Sequence, residues 1–284
     1  MFIDADAVLD LVTSSNDPVE RIKNVGAALV EIQNLTAELG RLRREEVEEL
    51  KAAGMSQNAI ARAIGLTSAR MSQVMNNAPA PERAFFGVKI EPIIAAVAEK
   101  READKPKPGP VISIDDMQAY DGLRNLVADL GLTSTYEVVR PPGNIWLNRN
   151  GLVVICGPRH SSLIEQVLGS DDKLSFEKDD AGWHLVDHVE GVAYRSPEDS
   201  DEPGDIAYLG RLPRPDGKGY FLYLAGIHAA GAAGVVHYLG NELASLYREV
   251  RNRRFSTLIQ CRYDPETHTI ISSERITPVY KHEG

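Results

Sequence analysis

Two stretches of this chain carry residues of the types and spacing that hold an anion. LVVICGPRHSSLIEQVL reads as strand, turn and helix, with Gly157, Arg159, His160, Ser161 and Ser162 in the turn. YFLYLAGIHAAGAAGVVHYL repeats the arrangement with Gly226, His228, Gly231 and Gly234. In an α/β sheet such turns sit at the carboxyl ends of strands, where the free N–H groups of a starting helix face a phosphate or carboxylate. Arg159 is the strongest donor because its planar fork pairs bidentately with oxygens, Ser161 and Ser162 add hydroxyls, and His160 or His228 suits a sugar or base. Residues 138 to 164 hold no acid but include Arg140, Arg149 and Arg159, and residues 219 to 241 hold no charged residue at all. The expected ligand is therefore small and anionic, nucleotide-like or like a sugar phosphate, and both turns can face one crevice.

The same residues admit plainer roles. GIHAAGAAG departs from the dinucleotide fingerprint, the first turn lacks the Lys of a phosphate-binding loop, and glycines also let a helix pack closely on a sheet. A nucleotide- or NAD-processing enzyme would use Glu137 and Glu165 as its carboxylates. However, the sequence shows no Ser-His-Asp spacing, no nucleophile elbow and no metal-binding cluster, so no catalytic or metal-binding residue is assigned. A third alternative is a DNA-binding scaffold whose second domain only oligomerises.

A different chemistry is written between Gln57 and Met75, in QNAIARAIGLTSARMSQVM. Small Ala61 suits a helix crossing, Gly65 suits a turn with positive φ, and Thr67 or Ser68 can cap the second helix. Ile60, Ile64, Leu66, Met71 and Val74 supply a small core. The second helix then offers Ser68, Ala69, Arg70, Ser72, Gln73 and Asn76 to a major groove, with Thr67 at its start also counted among the DNA contacts, while Gln57 and Arg62 would meet the DNA backbone. Residues 50 to 81 contain no Asp or Glu, although 41 acids in 284 residues would ordinarily place four or five in such a window. That gap removes repulsion from phosphates exactly where a helix-turn-helix needs it removed.

The whole chain carries a formal net charge of -10, so nucleic-acid contact has to be local rather than spread over the surface. Hydrophobic residues at 43% and charged residues at 25% are ordinary for a globular protein. The start, MFIDADAVLDLV, lacks the basic region of a secretory signal and no apolar run is long enough to span a bilayer, so a cytoplasmic protein without membrane contact is expected. Cys156 and Cys261 lie in separate apolar segments and read as reduced core thiols.

These motifs need elements to position them. Residues 18 to 53 read as helix, capped by Asn16 or Asp17, with a break near Gly40. Ile22, Val25, Leu29, Ile32, Leu39 and Leu42 run along it at spacings of three and four, with Thr36 in the gap; this seam either dimerises the chain or packs on its own helix-turn-helix. The predicted organisation is a helical dimerisation and DNA-binding domain over 1–78, a linker with the first strand of the second domain over 79–110, and an α/β ligand-sensing domain over 111–284. In that last part, helices at 115–130, 161–168 and 229–251 alternate with strand-like runs, which predicts a Rossmann-like or flavodoxin-like sheet with additional strands.

The stretch RREEVEELKAAGMSQNAIARAIGLTSARMSQVM resembles the helix-turn-helix of sigma-factor region 4 and of small repressors, over about 35 residues. The resemblance implies that Ser68, Arg70, Ser72 and Gln73 read DNA; with no region 2 segment visible, a full sigma factor is not implied. Residues 85 to 280 are similar to domains that follow such units in actinobacterial regulators, through PPG, GPRH, RLPRPDG, AGIHAAG and SSERITP. What this resemblance implies is the domain order of a bacterial one-component sensor, not a ligand; together with the motifs above, the chain is expected to be a transcription factor that binds double-stranded DNA as a homodimer under control of a small anionic ligand.

Overall fold

The computed structural model describes residues 4–87, 92–102, 106–157 and 161–282. The chain divides into two compact units, residues 1–81 and 82–284. Arg159 and His160 lie outside the described residues.

The first unit is helical. α1 (Ala5–Thr13) begins where Asp4 accepts the Ala7 N–H, and α2 (Pro18–Ala52) where Asp17 accepts the Val19 N–H, with proline at the first helical position. The expected break at Gly40 does not occur. Arg41, almost wholly buried, bonds Glu38 at 2.7 Å and Glu45 at 2.6 Å, so pairs three and four residues apart bridge the glycine and outweigh its poor helix propensity. α3 (Gln57–Ala63) is capped by Ser56 and α4 (Ser68–Asn77) by Thr67. Between them Gly65 has a φ of +71°, and the Leu66 N–H returns to the Ala61 carbonyl at 2.8 Å. Val47, Ile60, Ala61 and Met71 form the core, with Leu66 and Met75 against it. Ile64, expected in that core, is exposed at the end of α3, and Val74 is only half-buried.

The second unit is a mixed α/β layer structure. β1 (Ile93–Ala98), β4 (Ser134–Val139), β5 (Leu152–Ile155) and β10 (Tyr220–Gly226) are parallel neighbours in the order β4-β1-β5-β10. The sheet continues antiparallel through β9 (Gly204–Pro213), β11 (Arg254–Tyr263) and β12 (Ile270–Arg275), with β13 (Tyr280–His282) also on β11. β1 lies in the middle of the parallel half, so the first strand expected within residues 79–110 is a central strand of the sheet. Within it β2 (Lys100–Arg101) and β3 (Pro110–Val111) pair as a small hairpin.

Both faces of the sheet are covered, which is why its central strands are apolar throughout rather than alternating. α5 (Ile114–Asp129) and α7 (Ala230–Val250) pack on one face around Leu123, Val127, Val235 and Leu239. The other face takes α6 (Ser162–Leu168) and a three-stranded sheet of β6 (Leu174–Asp179), β7 (Gly182–Asp187) and β8 (Val192–Tyr194). Arg211, fully buried on β9, donates to the carbonyls of Phe85, Arg251 and Arg253 and lies against the rings of Phe85, Tyr220 and Phe255. No helix among the described residues is long and apolar enough to cross a membrane.

Candidate functional site

In the first unit, α4 turns Met71 and Met75 inward and leaves Ser68, Ala69, Arg70, Ser72, Gln73 and Asn76 exposed. At 100° per residue, Ala69, Gln73 and Asn76 form the middle of that face. Ser68 and Ser72 flank it on the α3 side, where Ser68 donates to Asn58 at 2.7 Å and the Gln57 amide donates to Ser72 at 3.0 Å. Arg70 flanks it on the other side and donates to the Gln73 side chain at 2.7 Å. Arg62 is exposed and donates back to the Asn58 carbonyl, whereas Thr67 spends its hydroxyl on the Arg70 N–H as the cap.

Arg70, Gln73 and Asn77 also line a groove whose opposite wall is α2, through Thr36, Gly40 and Arg43. Arg43 is exposed and meets no carboxylate among the described residues. Arg43 opens the stretch that resembles a helix-turn-helix but was not among the expected DNA contacts, because only the packing of α2 against α4 places it on the same groove as Arg70. Arg43 and Arg70 thus line one groove without a carboxylate partner among the described residues, and two cations on one groove are what a phosphate backbone attracts.

In the second unit, β5 and β10 are parallel neighbours, so the turns that follow them open at the same end of the sheet. They do line one crevice, shared by Cys156, Gly157, Gly226 and His228 with Lys100 and Asp116. It lies where the chain's crossovers diverge: β1 continues to β4 on one side, while β5 and β10 extend the sheet on the other. The enclosed space is about 20 Å³, room for one water rather than a nucleotide.

The anion at the start of α7 is the chain's own. Asp205, buried on β9, accepts the His228 and Gly231 N–H groups, each at 2.9 Å, and its own neighbour Ile206 at 2.8 Å. Burial pushes the Asp205 carboxyl up to about 6, against the pull of the N–H donors and His228. A Cβ on Gly226 or Gly231 would strike Asp205, and one on Gly234 would strike Cys261, all under 3.0 Å. The glycines expected to approach a ligand are thus accounted for by close packing, and the donors expected to hold an external anion are taken. His228 completes the arrangement with its Nε2 2.8 Å from Asp199.

The β5–α6 turn differs. Gly157 is half-buried in the crevice, Ser162 is exposed as the first residue of α6, and Ser161 is buried with no hydrogen-bond partner for its Oγ among the described residues. The positive field expected around this turn is reduced, because Arg149 pairs bidentately with Glu137 and Arg140 lies 3.6 Å from Glu99. Glu137 is thus held in an ion pair and does not line the crevice, and Glu165 is exposed on α6 outside it. The carboxylate at the crevice is Asp116, bridged to Lys100 at 2.8 Å. Burial, chiefly, pushes the thiol of Cys156 beside them up to about 12.

Among the described residues, Asp171, Asp172 and His282 bring ligand atoms within 4.8 Å of one another. Asp171 nevertheless spends its oxygens on the Lys173 and Leu174 N–H groups and the Tyr208 hydroxyl, and His282 Nε2 lies 2.9 Å from Ser256 Oγ. The group braces a turn. Comparison with protein families, curated proteins and solved structures finds no match to this chain.

Proposed function

We propose that the protein is a sequence-specific DNA-binding transcriptional regulator in which α3, the Gly65 turn and α4 act as a helix-turn-helix. The observation that carries this reading is the exposed face of α4: six polar or small side chains, no carboxylate from residue 50 to 81, and Arg43 beside Arg70. Ala69, Gln73 and Asn76 would meet base edges, since Gln and Asn pair bidentately with adenine and a small residue admits a thymine methyl. Gln57, Arg62, Arg43 and Arg70 would meet phosphates or, for Arg70, a guanine.

The test is selection of bound duplexes from a random-sequence pool by the full chain, followed by titration of the enriched sequence. Gln73→Ala should weaken that sequence by about 1 to 3 kcal/mol and narrow its margin over random duplex, whereas Arg43→Ala should weaken both alike and flatten the salt dependence. No enrichment over the starting pool overturns the proposal.

In the second unit, the β4-β1-β5-β10 order supports a flavodoxin-like reading of the parallel half, with the crevice at its switch point. On that reading a small phosphate- or carboxylate-bearing ligand regulates the protein from the β5–α6 turn, where Gly157, Ser161 and Ser162 meet Arg159 and His160 in sequence. The Ser161 hydroxyl, buried without a partner among the described residues, is the feature that favours this turn over the one before α7. A thermal-shift screen against nucleotides and sugar phosphates, repeated with Arg159→Ala, checks it: a stabilising compound should lose its effect in the variant.

A further inference from the structure

The apolar seam of α2 has two readings in the sequence, and the fold of the first unit leaves its aliphatic side chains uncovered, with only Thr36 of the seam lining the groove toward α4. α3 and α4 pack on α2 through Arg41, Arg44 and Val47, toward its carboxyl end. Ile22, Val25, Leu29, Ile32 and Leu39 do not take part; they remain between 42% and 74% exposed. Leu35 and Leu42 extend the same strip and are also exposed. On a helical projection the seam runs beside the face that meets α4 rather than beneath it.

We propose that this seam is the interface with a second copy of the same chain, making the protein a homodimer through α2. Spacings of three and four over residues 22 to 39 are the repeat by which one helix interlocks with another of the same repeat. The positions flanking the seam are Arg21, Gly26, Ala28, Gln33, Leu35, Gly40 and Leu42. One charge in seven leaves nothing to repel an identical copy and nothing to select a complementary partner. Charged Glu20, Lys23, Glu31 and Glu38 lie away from the seam, where Lys23 already pairs with Glu20 at 3.0 Å.

The area is sufficient. The exposed fractions of these seven aliphatic side chains amount to roughly 600 Å² per protomer, about 1,200 Å² for a pair, above the floor of about 1,000 Å² for a specific interface. An apolar strip of this size stands at the top of the roughly 300 to 600 Å² that the largest patch on a monomer ordinarily reaches, and patches of that size are commonly interaction surfaces. The inference goes beyond the DNA-binding reading and stands whether or not α4 meets DNA.

The experiment is the mass of the full chain in solution, by light scattering across a concentration series reaching about 10 µM or more. Wild type should have twice the chain mass. Leu29→Glu should return it to a monomer with unchanged helical circular dichroism, because residue 29 faces solvent within its own protomer. Lys23→Glu, on the outer face, should remain a dimer. As a second readout, Leu29→Cys and Ile32→Cys should together form an interchain disulfide under mild oxidation and Lys23→Cys should not; Cys156 and Cys261 are buried and will not interfere. A monomeric wild type, or a dimer whose mass survives Leu29→Glu, overturns the proposal.

Discussion

The two units solve the same problem with different means. Of the large hydrophobic side chains exposed among the described residues, fourteen lie in the first unit and seven in the second, although the second is more than twice as long. The first unit buries Val12, Val47, Ile60, Ala61, Met71 and Ala78, whereas the second packs both faces of a sheet. Hydrophobic burial is the main favourable term in folding, so the second unit draws on a far larger apolar core than the first.

The sharpest way to break this contrast is at Arg211. Arg211→Ala leaves three carbonyls without donors and a cavity among three rings, and should cost the second unit about 3 to 5 kcal/mol in a denaturant titration. Helicity from the first unit should persist after the sheet has melted. Gly234→Ala drives a methyl into Cys261 and should cost about 1 to 3 kcal/mol, read from the same transition.

Asp205 gives the second unit a pH signature. Its carboxyl is held at about 6 in the fold against 3.8 ordinarily, so between those values the folded protein keeps a proton that the unfolded chain has lost. Its contribution to stability therefore rises as pH falls from about 6 to about 4, on the order of 1 to 3 kcal/mol. Comparing wild type with Asp205→Asn across that window isolates it; equal pH dependence in the two proteins removes Asp205 as the source.

The smallest change sharpens the comparison from the other side. Thr67→Ala removes the cap of α4 and should cost about 1 kcal/mol. In the first unit, with its short list of buried side chains, that loss should show as faster amide exchange throughout α3 and α4. The equivalent substitution of the α5 cap, Ser113→Ala, should leave exchange in the second unit's core almost unchanged.

Much of the fold was legible. The helices at 114–129, 162–168 and 230–250 and the strands from β4 to β12 follow the alternation of apolar runs with turn residues. β13 and the β2–β3 hairpin escaped because two or three residues carry no periodicity, and α1 because its nine residues were read only for a leader segment. On α4 the exposed residues were readable because helical spacing separates one face from another. Arg43 and Lys100 were not, since their roles depend on what lies across a groove.

By itself the sequence determined the elements, the Gly65 turn, the acid-free window and the seam of α2, all of which are local patterns of side-chain type along one chain. Only the tertiary structure decided what those residues face. It set Asp205 against the start of α7, paired Arg149 with Glu137, and left the seam open while α3 and α4 closed on Val47. The physical reason is that hydrogen bonds and ion pairs form between groups within a few ångströms of each other, whatever their separation along the chain.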